Sequence, residues 1–224
     1  MKIYPSSKVV FLIHPHPQQF LNGLTSNVLD QPRNVFLNIH GRIIAIFDQV
    51  RKGVDEFLIV LEPTFVDQVL AHLDRYARLS GVKVEKTTHR VYFDLEGDYK
   101  PQGEEFVIPQ KRGQLIITQR ILESNVTDEE FLYFRVENEI PLHGVDYQDE
   151  FILNVSETEF VSFTKGCFLG QEPVSKVHNR SKPSWELMIK YEDQCGDEEK
   201  QKMTSKIQEK GTGRVKGFVF VRNE

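Results

Sequence analysis

The sequence predicts an α+β fold: a mostly antiparallel sheet with helices packed against it. Three observations carry this. Short apolar runs bounded by turn residues recur through the first half of the chain. They alternate with helical stretches and enclose a hairpin centred on His40-Gly41-Arg42. The last forty residues begin and end on strand-like runs.

The elements follow in order. Lys8 to Ile13 reads as a buried strand. Pro17 suits the first turn of a helix, and Phe20, Leu21, Leu24 and Val28 then share one face. Val35 to Ile39 and Ile43 to Val50 read as strands either side of the His40-Gly41-Arg42 turn, and Phe57 to Leu61 as another. The clearest helix spans 64–79, with Val66, Val69, Leu70, Leu73, Tyr76 and Ala77 at helical spacing, Pro63 before it and Gly81 after it. Val82 to Lys86, Arg90 to Leu95, Phe106 to Ile108 and Leu115 to Thr118 return to strand, the last two joined by a Lys111-Arg112-Gly113 turn. Thr127-Asp128-Glu129-Glu130 is a capping box that opens a helix carrying Phe131 and Phe134, with Pro141 as its stop. Gln171 to Asn179 is helix-like. Residues 192–210 read as a solvated excursion between strands at Trp185–Tyr191 and Val215–Val221.

Composition narrows the function. The 224 residues allow one large domain or two small ones. A net charge of −5 argues against a general nucleic-acid binder. The two cysteines are far apart, which fits a reducing compartment better than a disulfide framework. No apolar stretch approaches a membrane span, and Val9 to Ile13 is too short for a signal-peptide core. The expected location is therefore cytoplasmic.

Residues 165–172, Lys-Gly-Cys-Phe-Leu-Gly-Gln-Glu, carry the strongest chemical signal. A cysteine beside a cation and close to a helix start can have its thiol pKa lowered. Gly166 and Gly170 admit backbone conformations that other residues resist. The local chemistry permits a reactive thiol or an anion-binding turn. The alternative for Cys167 is a small buried apolar residue. Cys195 lies in a charged stretch without a motif.

This octapeptide resembles the K-G-C-[YF]-x-G-Q-E signature of the YgfZ family, folate-binding proteins of iron–sulfur cluster assembly related to the T-protein (aminomethyltransferase) of the glycine cleavage system. Arg135-Val136-Glu137-Asn138-Glu139-Ile140-Pro141-Leu142-His143-Gly144 is similar to that superfamily's R-x-E-x-G-x-P-x-x-G segment, with Glu139 where glycine is usual. Phe20 to Val28, followed by His40-Gly41-Arg42, resembles its F-L-Q-G-Q-x-T-x-D-V helix and G-[KR] hairpin. The matches occur in family order over roughly residues 8–190.

The resemblance implies a folate-binding region over 1–180, divisible into 1–95 and 96–180, and a reduced β-barrel remnant over 181–224. Family members usually continue into a complete small barrel, whereas 52 residues follow Glu172 here. It implies tetrahydrofolate as ligand, in a pocket between sheet layers with the Cys167 thiol at its rim. Glu137 becomes a pterin contact, since a carboxylate accepts two hydrogen bonds from amino and ring N–H groups. Otherwise it is solvated helix surface. Phe131 either lies against folate or packs in the core with Phe134. Arg135 and Arg42 either attract the glutamate tail or stand as surface charges. Lys165, Gly166, Gln171 and Glu172 complete the turn, and Gln171 and Glu172 either cap it or face a partner.

The leading expectation is a tetrahydrofolate-binding accessory protein for making or repairing iron–sulfur clusters, with folate and iron–sulfur client or assembly proteins as partners. One cysteine cannot supply the four thiolates of a stable cluster. The alternatives are a folate-dependent aminomethyltransferase or methyltransferase, and an interaction module without folate binding. The transferase needs a placed carboxylate, for which Asp48 and Asp94 are candidates. The histidines lack zinc spacing, and no P-loop, dinucleotide fingerprint or nucleophile elbow is present.

Overall fold

The computed structural model describes residues 1–156 and 158–223. In chain order its main elements are β1 (Ile3–Ser6), β2 (Val9–His14), α1 (Pro17–Asn22), β3 (Arg33–Leu37), β4 (Ile43–Arg51), β5 (Phe57–Leu61) and α2 (Val66–Ser80). Then follow β6 (Lys83–Lys86), β7 (Arg90–Asp94), β8 (Phe106–Pro109), β9 (Gln114–Thr118), α3 (Asp128–Glu137), α4 (Ile152–Val155) and α5 (Gln171–Arg180). The chain closes with β10 (Trp185–Tyr191), α6 (Asp197–Lys202), β11 (Thr204–Gln208) and β12 (Val215–Arg222).

These strands form three sheets: β3-β4-β5-β2-β6, β1-β7-β9-β8 and β10-β12-β11. Every strand pair in them is antiparallel. The apolar run of β5 has two destinations because side chains alternate across a strand. Phe57, Ile59 and Leu61 pack with Phe20, Leu21, Val69 and Leu73 of α1 and α2. Leu58 and Val60 pack with Val91, Phe93, Leu115 and Ile117 of the four-stranded sheet. The five-stranded sheet is thus a middle layer, buried on both faces here. That is why β5 shows no polar alternation.

The capping box at α3 is present: the Glu130 N–H donates to Thr127 Oγ1 at 3.2 Å, and the Thr127 N–H donates to Glu130 Oε2 at 2.9 Å. The helix ends at Glu137, earlier than Pro141 demands. Asn138 donates its side-chain amide to the Phe134 carbonyl at 2.8 Å, and Glu139 takes a left-handed φ of 53°. That conformation gives a physical reason for glycine at this place in the superfamily pattern.

Two differences from expectation stand out. β1 was not anticipated; it pairs with β7 and buries Ile3. Residues 192–210 are not a solvated excursion, since they contain α6 and β11. Their few apolar residues are all placed inward: Cys195 and Met203 pack on Val219, and Ile207 packs with Phe218 and Val136. Low apolar content hid this because position, not number, decides burial. The C-terminal strands form a three-stranded antiparallel sheet, with β12 between β10 and β11.

Candidate functional site

The octapeptide loop is anchored on both sides of its cysteine, at Lys165 and at Phe168, Leu169 and Gly170. Lys165 Nζ donates to the carbonyls of Thr25 at 2.6 Å and Asn27 at 2.9 Å. Burial pushes the pKa of this ammonium down to about 8. Phe168 is buried with Val35, Leu37, Ile43 and Val174. The Leu169 N–H donates to the Gly23 carbonyl at 3.0 Å. Gly170 has φ 83°, and a Cβ there would stand 2.4 Å from the Asn38 carbonyl oxygen. Only glycine fits that approach. Gly166 has no such requirement, because a Cβ on it would meet open space. The first and third sequence matches therefore converge: the loop rests on residues 23–27 and on the β3–β4 turn. Gly41 of that turn is similarly confined, a Cβ lying 2.7 Å from the Phe151 ring and 3.0 Å from Val174.

Cys167 is exposed and Cys195 is buried. The Cys195 Sγ donates to the Tyr191 carbonyl at 3.3 Å, and burial raises its pKa. The cation expected to assist Cys167 is engaged elsewhere, since the Lys165 ammonium holds the two carbonyls and lies 5.5 Å from the Phe168 ring centre. Gln171 sits at the start of α5, where its side-chain oxygen accepts weakly from the Phe168 N–H at 3.4 Å. Glu172 is exposed in the first turn of α5.

The Arg135–Gly144 segment lies apart from the thiol. Arg135 is not a surface charge: it is buried, 2.9 Å from Asp146 Oδ2, and donates to the Ile140 carbonyl at 3.1 Å. No sequence signal near Arg135 tells this from an exposed arginine, because the acid that holds it arrives by folding. Phe131 is packed, stacking on Tyr4 at 4.0 Å and tilting on Phe93 at 5.3 Å. Glu137 is half exposed, pairs with Lys216 at 3.0 Å, and opens on a cleft of about 1110 Å³ with Tyr133, Phe134 and Lys210. Cys167 does not line that cleft. The exposed Arg42 donates to the Asp149 carbonyl.

A smaller cavity, about 330 Å³, opens between the β3 edge, the loop after α3 and β10. Arg33, Lys111, Glu139, Glu159, Phe160 and Phe218 line it. Arg33 pairs with Glu159, and its guanidinium lies 4.9 Å from the Phe160 ring centre. Its Nε is buried without a hydrogen bond among the described residues, 3.4 Å from Asp48 Oδ1. The cavity wall connects to the octapeptide: Ser26 Oγ donates to the Phe160 carbonyl at 2.6 Å and Asn27 Nδ2 to the Glu159 carbonyl at 3.0 Å. Lys165 in turn holds the Asn27 carbonyl. Arg33 and Glu159 were not singled out from sequence. One lies just ahead of the strand pattern that begins at Val35 and the other lies in a loop, and only folding brings them together.

Behind Arg33 lies a buried ion array. Asp48 Oδ2 is 2.6 Å from Lys8 Nζ, and Gln110 Nε2 donates to Asp48 Oδ1 at 3.0 Å. Burial would raise the Asp48 pKa, but Lys8 and Arg33 outweigh it and hold the carboxyl below its ordinary value. Asp94, the other candidate carboxylate, accepts from the backbone of Tyr99 at 2.8 Å and from Gln114 Nε2 at 3.0 Å. Both aspartates are bound into the framework. Among the described residues no group of three or more His, Cys, Asp or Glu side chains could hold a metal ion.

The architecture defines the chain as a protein of T-protein-like fold. It superimposes on the crystal structure of glycine cleavage system aminomethyltransferase T from Bartonella henselae with a TM-score of 0.77, covering 99% of this chain and 78% of that one, at 14% identity. In sequence it is similar to a Dictyostelium discoideum protein described as an iron–sulfur cluster assembly factor IBA57 homolog, mitochondrial. The identity is 23% over 238 aligned positions. The match spans 77% of this chain and 58% of that relative's length. No family model matches the chain. No described helix is long and apolar enough to cross a membrane.

Proposed function

We propose that this protein is a tetrahydrofolate-binding accessory factor in iron–sulfur cluster assembly or repair, acting through the Cys167 thiol. One observation carries the reading: a loop anchored by Lys165, Phe168, Leu169 and Gly170 leaves Cys167 outside. A cysteine kept only for packing belongs inside, as Cys195 is. Similarity to a protein named as an assembly factor supports the same reading. Assembly or client proteins are the partners, and the thiol is a donor shared transiently with them, because one thiolate cannot hold a cluster alone.

The 330 Å³ cavity is the proposed folate site. Its volume lies at the low end of the range of roughly 300–1,000 Å³ for ligand pockets. Its residues fit the ligand's chemistry. Phe160 and Phe218 offer apolar contact to a flat ring, and Glu159 and Glu139 offer acceptors for its N–H groups. Arg33 and Lys111 offer charge to carboxylates. This moves the proposed ligand contact away from Glu137, Phe131 and Arg135. The aminomethyltransferase reading is weaker, since Asp48 and Asp94 are held by structural partners.

The test is a titration with tetrahydrofolate followed by the fluorescence of Trp185, which adjoins the cavity residues Glu186 and Leu187. Saturable quenching is expected. Glu159→Gln should weaken binding by about 1–3 kcal/mol and Glu137→Gln should leave it unchanged. The reverse pattern would return the site to the α3 cleft, and no saturable change would remove folate from the proposal. Transfer of a one-carbon unit from an aminomethyl donor would favour the enzyme instead.

A further inference from the structure

Charge is unevenly distributed along this chain. Residues 161–184 carry Lys165, Lys176, Arg180 and Lys182 against a single carboxylate, Glu172, which sums to +3. The whole chain sums to −5, so the remaining residues carry −8. Lys165 is spent inside the loop. Lys176, Arg180 and Lys182 are exposed, and none forms an ion pair among the described residues. Helix α5 turns Val174 and Val177 into the core. Glu172, Lys176 and Arg180 recur every fourth residue, which sets them along one outward stripe. Cations in the last turn of a helix complement its dipole, which accounts for Arg180 but not for Lys176 or Lys182.

The thiol loop and this helix form one surface. Phe163, 38% exposed, stacks on His178 of α5 with ring centres 3.6 Å apart and planes at 13°. The Gln171 N–H donates to the Phe168 carbonyl, which closes the loop onto the first turn. The loop that exposes the thiol thus runs directly into the helix that carries the unpaired basic stripe, on a molecule whose remaining residues sum to −8. His178 is two positions from both Lys176 and Arg180, which sets the Phe163–His178 pair on the other flank of the helix. A second copy of such a chain would be repelled, and an acidic segment of another protein would be attracted.

We propose that the outer face of α5, with its Lys176 and Arg180 stripe and Lys182 just beyond it, docks an acidic segment of a partner protein and so brings that partner to the helix that follows Cys167. The charge argument stands alone. Taking the partner to be a protein rests on the assembly role proposed above.

The probe is a fluorescein-labelled decaglutamate peptide, with decaglutamine and a ten-nucleotide oligothymidylate as controls, all read by fluorescence anisotropy at low salt. Decaglutamate should bind, and binding should weaken as salt rises. The K176E/R180E/K182E variant should lose about tenfold or more in affinity. Reversal of Lys83 and Lys86, exposed on β6 at the opposite edge of the sheet from β3, should change nothing. Saturating decaglutamate should also slow alkylation of Cys167. Lys176→Gln with Arg180→Gln serves if the triple reversal does not fold, with a smaller loss in the same direction. Equal affinity in the variants, equal binding of decaglutamine or oligothymidylate, or an unprotected Cys167 would overturn the proposal. Tetrahydrofolate titration of the same variants should be unaltered. Loss of folate binding in the unmodified protein would instead count against the proposed function, leaving the docking surface intact.

Discussion

The Lys165 ammonium lies 2.6 Å from the carbonyl oxygen of Thr25, a residue 140 positions earlier. With the Asn27 carbonyl at 2.9 Å it clips the thiol loop to the segment after α1. Lys165→Met keeps the aliphatic stem and removes both hydrogen bonds. We expect a loss of about 1–3 kcal/mol in urea unfolding and a changed alkylation rate at Cys167. An unmoved unfolding midpoint would show that the tether contributes nothing.

The two thiols should differ sharply in reactivity. In native protein, iodoacetamide should modify the Cys195→Ser variant, which retains exposed Cys167, about tenfold or more faster than the Cys167→Ser variant. Cys195 has to open to react, and burial raises its pKa, so its rate should rise at higher pH. Equal native-state rates would mean that the loop does not present Cys167 as described.

Asp48→Asn separates a framework carboxylate from a chemical one. Removing its charge leaves Lys8 and Arg33 buried together with less compensation. A stability loss of about 3 kcal/mol is expected from such a half-broken buried array. A variant of full stability with altered one-carbon chemistry would restore Asp48 as a candidate catalytic residue.

Acid sensitivity should come in part from His143. This ring is buried, stacks on Phe65 at 3.8 Å, and has no hydrogen-bond partner for either nitrogen among the described residues. Burial, with Lys8 adding to it, lowers its pKa from 6.5 to about 4. The unfolded chain therefore takes up this proton first. Stability should be complete above the unfolded value and fall by up to about 3 kcal/mol as pH drops from there through 4. His143→Phe keeps the stack and should flatten that limb in urea unfolding measured across pH. An identical acid limb in the variant would assign the loss to other groups.

Local patterns determined much of this protein. The short apolar runs gave the strands of the middle sheet, β5 to the residue. Pro63, the spacing from Val66 to Ala77, and Gly81 gave α2, and Thr127 with Glu130 gave the start of α3. The octapeptide located the thiol loop, because Lys165 and Gly170 are needed within a few residues of each other. Tertiary structure decided what each residue faces. Arg135 went inward because Asp146 waits there, Phe131 because Tyr4 and Phe93 do, and residues 192–210 folded because Met203 and Ile207 find Val219 and Phe218. The cavity at Arg33, Glu159 and Phe160 was invisible for the same reason. Its walls come from segments more than a hundred residues apart, and a sequence records the chemistry of each residue but not the neighbour that long-range packing supplies.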